Sequence, residues 1–414
     1  MLSRARTYSL EARRGLVATL SSALVALVIL AILPSHGRAG PALVFDTRTG
    51  EVLHSYGAFT PWHPASLTKL MTAYVSFQAI RQGSVSLQTP VRISANALAQ
   101  PPSKMGFAVG TEISLEYALR ILMVKSANDI AVAVAETVGG SEPAFISMMN
   151  NTARRLGMTD TYYVNPHGLH DPQQRTTARD LAFLTRALIR DFPQYQGFFE
   201  LASIQVGQSV LRNHNKLIGR FRGADGMKTG YVCASGFNIV ATATRGGRRL
   251  AAVVMGGMSG AKRDEVTEQL LEAAFQTGGG FSLFGSGRPN IDSLRRPATV
   301  GPPVDVRDYV CLKKTPPAEI ASFGMEATAV AAGGDPSAIV GASAAGTGSA
   351  LALTSAQVIN LGAVASPAEP AVAFDVPLPR PRPSSTAVAP GVAPLVQSAP
   401  SQPAGIRPLP NPLR

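Results

Sequence analysis

Proline divides this chain. Of its 31 prolines, 11 fall in residues 1–280 and 20 in residues 281–414, where Ala, Gly and Ser are also abundant. Proline lacks a backbone donor and has a fixed φ, so dense proline excludes helix interiors and central strands. The run Pro-Leu-Pro-Arg-Pro-Arg-Pro at 377–383 is the extreme case. Residues 281–414 cannot bury enough apolar area to offset chain entropy. They are expected to form a largely disordered tail, either a plain linker or an extended reach through a polymer mesh. A short ordered piece remains open at 303–325. The foldable part is therefore confined to residues 1–280.

Its first stretch reads as an export signal. Arg4, Arg6, Arg13 and Arg14 precede an uncharged apolar run at 15–33, and small residues follow around Gly37-Arg38-Ala39. A basic region, an apolar core and a small-residue cleavage site make a signal peptide. The run is also just long enough to span a bilayer, so residues 1–39 read as a signal peptide or an N-terminal membrane anchor. The basic flank places the following domain outside the cytoplasm, in the periplasm or cell envelope.

Composition narrows the functions. Charged residues are 15% of the chain and hydrophobic ones 45%, with a single long apolar run, which excludes a wholly disordered chain and a polytopic membrane protein. Two cysteines exclude a disulfide-stapled fold and a multi-cysteine metal site. The net charge of +12 comes without any Lys/Arg cluster interleaved with aromatics, so no nucleic-acid partner is expected. A basic exported chain suits an anionic envelope polymer or lipid surface.

Periodicity sketches residues 40–280. Residues 42–46 and 51–55 read as strands around the turn Thr47-Arg48-Thr49-Gly50. Leu67, Leu70, Met71, Tyr74 and Val75 follow helical spacing, as do 115–123, 127–138, 142–156 and 178–189. Strands return at 228–234, 236–244 and 248–256, and a helix at 263–276 closes the domain. The expected architecture is mixed α/β: one antiparallel sheet of about five strands flanked by helices, plus a helical subdomain.

Three short motifs carry chemistry. Pro64-Ala65-Ser66-Leu67-Thr68-Lys69 puts Ser66 at a helix start with Lys69 one turn on, on the same face. A serine hydroxyl needs a neighbouring base, and a lysine serves only when its amine is neutral. Burial and a second cation would depress its pKa. Ser126-Ala127-Asn128 lies between two helices. Lys228-Thr229-Gly230 lies on a strand, where the ammonium and hydroxyl suit a carboxylate and the glycine would let a ligand backbone approach. Each motif alone is weak. Ser259 and Lys262 repeat the first in what reads as a polar turn with no helix start, and Ser94-Ala95-Asn96 repeats the second. Order and context give the specificity.

With the motifs in this order, residues 42–276 resemble the serine D-alanyl-D-alanine carboxypeptidases, the low-molecular-mass penicillin-binding proteins. Further family-like segments are Asp46-Thr47-Arg48-Thr49-Gly50, Lys125-Ser126-Ala127-Asn128-Asp129, Asn165-Pro166-His167-Gly168-Leu169, Thr176-Thr177-Ala178-Arg179-Asp180 and Gly226-Met227-Lys228-Thr229-Gly230-Tyr231. The resemblance implies a β-lactamase/DD-peptidase-like fold, peptidoglycan stem peptides as substrate and β-lactams as inhibitors, with no cofactor. It casts Ser66 as the acylated nucleophile, Lys69 as its base and Ser126 as proton relay to the leaving amine. Asn128 would hold the substrate amide and orient Lys69. Lys228 and Thr229 would bind the terminal carboxylate, and the backbone N–H groups of Ser66 and Tyr231 would form the oxyanion hole. A D,D-endopeptidase or β-lactamase on the same acyl-enzyme, or a non-catalytic wall-binding protein, are the alternatives.

Two departures stand out. Relatives often carry a second β-rich domain and a membrane-lying C-terminal helix, and neither reads in the residues after Gln276. Membrane attachment then falls to the N-terminal segment. Residues 128–228 also lack the Glu-x-x-x-Asn with which class A β-lactamases activate the deacylating water. Other residues read as structural. His167, His170 and Asp171 sit in a Pro/Gly loop ill-suited to preset a zinc site, so no metal is expected. His214 reads as lining a loop near the active strand, Arg179 and Asp180 as an ion pair, and Trp62 as packing. Cys233 reads as a small core residue. A bridge to Cys311, which would tie the tail to the domain, is the open alternative.

Overall fold

The computed structural model describes residues 40–206, 209–277 and 288–316, and the backbone of 375–376. The proposed signal or anchor at 1–39 and most of the expected tail lie outside the described residues. Among the described residues no helix is long and apolar enough to cross a membrane.

In chain order the elements are β1 (Ala42–Asp46), β2 (Val52–Tyr56), α1 (Thr68–Arg81), β3 (Pro90–Arg92), α2 (Ala95–Ala99), β4 (Glu112–Ser114), α3 (Leu115–Val124), α4 (Asn128–Gly139), α5 (Glu142–Arg155) and α6 (Ala178–Asp191). Then come β5 (Ser203–Val206), β6 (Ser209–Arg212), β7 (Ala224–Val232), β8 (Gly236–Arg245), β9 (Arg248–Gly257), α7 (Gly260–Gln276), α8 (Arg307–Val310) and β10 (Asp375–Val376).

The main sheet is antiparallel with five strands, as the sequence led us to expect, and their order is β2-β1-β9-β8-β7. Its central strands read as unbroken apolar runs because both faces are covered. Along β9, Leu250, Ala252 and Val254 face α7 through Val266, Leu270 and Leu271. The alternate residues Ala251, Val253 and Met255 join the larger core shared with α1, α4 and α6. The nine residues of β7 form one edge, and that edge is a wall of the cleft described below.

Helix α1 runs through the middle of the helical layer with nearly all of its residues buried, including Thr68, Lys69, Thr72 and Ser76. The polar groups among these are absorbed locally: Thr72 Oγ1 donates to the Pro166 carbonyl at 2.6 Å and Ser76 Oγ to the Thr72 carbonyl at 2.9 Å. A helix buried on all sides has no charged face for the reading to find.

Three expectations need correction. Ser259 does stand at a helix start: its side chain accepts the Lys262 N–H and caps α7, which begins earlier than expected. Ser94 likewise caps α2. These two echoes of the motifs are helix caps. Secondly, the described part of the expected tail begins at 288, ahead of the piece left open at 303–325. The N–H of Val52 donates to Pro289 O and that of Ile291 to Gly50 O, both at 2.9 Å, and Ile291, Val306 and Val310 are buried. Thirdly, Cys233 is no plain core residue: it forms a disulfide with Cys311.

Candidate active site

The turn that carries Ser66, the expected nucleophile, is built from unusual backbone. Ala65, at φ 48°, opens a single 3-10 turn (Ala65–Leu67) that carries Ser66 into α1. Ser126, between α3 and α4, has φ 61°. Non-glycine residues rarely adopt this left-handed region, and such strain gathers at functional sites. The Gly168 loop backs the turn, and Gly168 at φ 89° is indispensable: a Cβ there would meet the Ala65 carbonyl oxygen at 1.8 Å.

Lys69 is fully buried. Its Nζ lies 3.1 Å from Ser66 Oγ, 2.8 Å from Asn128 Oδ1 and 2.7 Å from the His167 carbonyl. Asn128 is oriented by its other end, where Nδ2 donates to Pro101 O at 2.9 Å. Asn128 Oδ1 and the His167 carbonyl can only accept. They therefore consume two lysine hydrogens, and the remaining position faces Ser66. Burial, and next the Lys228 charge, hold the amine well below the ordinary lysine range, with Asp129 opposing. A neutral amine here points its lone pair at the Ser66 hydroxyl.

Asp129 earns no catalytic role. Its carboxylate accepts the backbone N–H groups of Met105, Gly106 and Ile130 and so pins the loop that carries Ser103 to the cleft.

Lys228 faces this group across the cleft. It is 1% exposed, and its Nζ donates to Ser126 Oγ at 2.9 Å and to the Thr229 carbonyl at 3.0 Å. Burial, then the Arg263 charge, bring its pKa down to about 7. Ser66, Ser126, Asn128, Thr229, Gly230 and Tyr231 line one cleft of about 680 Å³, within the usual span of ligand sites. The expected residues thus converge.

Gly230 departs in its reason. A Cβ there would lie 3.0 Å from Pro64 O and Ser66 N and 3.1 Å from Leu67 N. The group approaching this strand so closely is the protein's own nucleophile turn. Asn238 on β8 completes the join, donating to the carbonyls of His63 at 3.1 Å and Pro64 at 3.3 Å. Sequence reading missed Asn238, although a buried asparagine in an apolar strand was a signal. Tyr231 is 45% exposed on the cleft, with its ring stacked on Phe237 at 4.3 Å. Trp62 is buried, with its indole N–H on the Ser235 carbonyl.

The cleft is cationic beyond the expected residues. Arg212, Lys216, Arg220 and Arg263 also line it, against Asp264. Arg263 and Arg220 are paired with Asp264, whereas Arg212 and Lys216 have no partner among the described residues. Partial burial, then Lys228, Lys125, Arg263 and Lys69, keep the His214 imidazole down to about 4, so it is neutral at ordinary pH. In the histidine loop His167 Nδ1 accepts the Leu169 N–H, and His170 meets His63 edge-on. Among the described residues no three His, Cys, Asp or Glu side chains gather as a metal site. Arg179 and Asp180 form the expected ion pair.

A family model described as D-alanyl-D-alanine carboxypeptidase (Peptidase_S11) matches residues 31–259, which include every expected site residue. The D-alanyl-D-alanine carboxypeptidase DacD of Salmonella typhimurium is 36% identical over 257 residues, 60% of this chain and 66% of that protein. DacD of Escherichia coli is 36% identical over 245 residues, and the match spans 63% of its length. The chain thus covers just under two thirds of these curated relatives. Among solved structures, penicillin-binding protein 5 from Haemophilus influenzae superposes with a TM-score of 0.56 at 33% identity, over 59% of this chain and 73% of that one. Penicillin-binding protein D2 from Listeria monocytogenes, solved in its ampicillin-bound form, superposes at 0.51 with 29% identity, over 57% of this chain and 97% of that one.

Proposed function

The chain belongs to the D-alanyl-D-alanine carboxypeptidase family, and from that premise we propose that it is an exported serine D,D-carboxypeptidase removing the terminal D-alanine of peptidoglycan stem peptides. The observation that carries the reading is Lys69 Nζ, held by two fixed acceptors beside Ser66 Oγ, with Lys228 across the same cleft.

In this reading Lys228 and Thr229 hold the terminal carboxylate. The neutral Lys69 amine takes the proton of Ser66 as Oγ attacks the penultimate carbonyl. The N–H groups of Ser66 and Tyr231 bind the developing oxyanion, and such donors are often the largest catalytic contribution. Ser126, bonded to Lys228, relays a proton to the leaving amine, and D-alanine departs. Water then hydrolyses the acyl-Ser66 ester. A β-lactam acylates the same serine and is released slowly, a reading supported by the ampicillin-bound neighbour. The basic, apolar N-terminal segment supports export.

Fluorescent penicillin tests the site, and a D-Ala-D-Ala peptide tests the reaction. Labelling lost in Ser66→Ala, together with release of free D-alanine, is expected. A folded wild-type protein that takes no label would point to a non-catalytic wall-binding role. Rapid turnover of penicillin would make it a β-lactamase. Arg212 and Lys216, without a partner among the described residues, favour one second reading, a D,D-endopeptidase whose leaving strand is anionic. Release of monomers from crosslinked dimers would establish it.

A further inference from the structure

Residues 304–311 reach three of the segments around the site. Val304 N–H donates to Pro61 O at 3.4 Å, on the loop that enters the nucleophile turn. Val306 N–H donates to Ala234 O at 3.0 Å, just beyond the Lys228–Tyr231 strand. Asp305 and Arg307 lie close enough to His170 to act on its imidazole, and His170 belongs to the loop whose His167 carbonyl holds Lys69. Cys311 then bonds covalently to Cys233, two residues after Tyr231. The Tyr231 hydroxyl rests 3.1 Å from Cys311 Sγ.

These contacts converge on one distance. Catalysis on Ser66 needs the N–H of Ser66 on one wall and that of Tyr231 on the other to face a single oxygen. Among the described residues β7 is an edge strand, so within the sheet its end is held on the β8 side alone. Asn238 and the Trp62 indole N–H on the Ser235 carbonyl join this hairpin to the nucleophile turn from the β8 side, and residues 304–311 add the tie beside the end of β7 itself. Reacting groups must be fixed to within about half an ångström by supporting contacts, and a 1 Å displacement can cost about a hundredfold in rate.

We propose that residues 304–311, locked by the Cys233–Cys311 bridge, are a positioning brace that sets the oxyanion hole and the Tyr231 wall. The bridge makes the acylation rate depend on the thiol redox state. This rests on the acyl-enzyme reading above. Both cysteines are half-buried, so a small reductant reaches the bridge.

The test compares oxidised protein, the same protein reduced with a phosphine, and Cys233→Ala/Cys311→Ala. The readouts are the second-order rate of penicillin acylation, and kcat and KM on a D-Ala-D-Ala peptide, all well below the melting temperature. Reduction and the double variant should each lower acylation and kcat by about tenfold, with KM within about twofold. Reoxidation should restore the wild type, and reductant should leave the double variant unchanged. A bridge that only stabilised the fold would lower the melting temperature and leave kcat alone. Thus an unchanged acylation rate in reduced, folded wild type overturns the brace, as does equal slowing of the double variant by reductant. That result needs no variant to fold. Oxidised protein that takes no label overturns the acyl-enzyme reading and the brace together.

Discussion

Lys69 and Lys228 are buried in one cleft without sharing a hydrogen-bond acceptor: Lys69 is held by Asn128 and His167, Lys228 by Ser126 and the Thr229 carbonyl. The charge on Lys228 is the second cause, after burial, of the low pKa of Lys69. In the proposed reaction their tasks oppose each other, since it needs Lys69 neutral and Lys228 charged. Acylation should therefore rise with pH as Lys69 loses its proton. KM for a carboxylate-ended peptide should rise as pH passes about 7, where free Lys228 discharges. Lys228→Arg, charged at every accessible pH, should remove the alkaline rise in KM. So should a substrate whose terminal carboxylate is amidated. A KM profile unchanged by both would remove Lys228 from carboxylate binding.

Asn128 offers a sharper probe of the base. Its Oδ1 accepts from Lys69 while Nδ2 donates to Pro101 O. Asn128→Asp puts a carboxylate 2.8 Å from the amine and loses the Pro101 bond. An opposite charge at that range favours the ammonium by 1–3 pKa units, roughly. The acid limb of the acylation profile should move to higher pH by about that amount, and acylation at pH 7 should fall by at least about tenfold. Asn128→Ala should also slow acylation but leave the limb at its wild-type pH or below. Profiles measured with penicillin decide between these, and identical limbs would mean that Lys69 is not the titrating base.

Gly230 and Gly168 predict different failures. At Gly230 an added Cβ meets Pro64 O, Ser66 N and Leu67 N at 3.0–3.1 Å, which a small shift of the turn can relieve. That shift widens the gap between Ser66 and Tyr231. Gly230→Ala should keep most of its stability and lose about tenfold or more in acylation rate. At Gly168 the clash with Ala65 O at 1.8 Å is backbone on backbone, and φ is 89°. Gly168→Ala should lower stability by on the order of 2–4 kcal/mol. Chemical denaturation beside penicillin kinetics separates the two. Equal stability losses would show that the nucleophile turn is softer than its contacts imply.

What was readable in the sequence follows from how each residue signals. The trio at Ser66, Ser126 and Lys228 was legible because fixed spacing on a helix and fixed order along the chain survive without coordinates. The order of the sheet was not, because β1 pairs with β9 across some two hundred residues and pairing leaves no local mark. The hairpin of β5 and β6 went unseen because three of the four residues of β6 are exposed, which erases the alternation of apolar and polar faces. Residues 288–302 were hidden by composition, and 303–316 were legible only as an open possibility. Proline and glycine describe a segment without its own core, and they are silent about one held by another domain's backbone carbonyls and a disulfide. The helix start at Ser259 went unread because the first turn after it, Gly260-Ala261-Lys262, carries no large apolar residue to mark a helical face.

His54 supplies the last prediction. It sits on β2, 8% exposed, and neither ring nitrogen has a hydrogen-bond partner among the described residues. Burial lowers its pKa from 6.5 to about 4. The unfolded chain binds a proton as pH falls through 6.5, while the folded chain resists until about 4, so folding stability is lost across that window. The gap of about 2.5 units sets an upper limit of about 3 kcal/mol. His167 and His214, depressed to about 3 and about 4, act with the same sign. His54→Leu removes the titration and the two unpaired nitrogens at once. Urea unfolding at pH 7.5 and pH 5.0 should show a smaller acid loss in His54→Leu than in wild type, by on the order of 1–2 kcal/mol. Because His167 and His214 remain, part of the acid loss should persist in the variant. Parallel losses in the two proteins would mean that the His54 imidazole takes up its proton as readily in the folded chain as in the unfolded one.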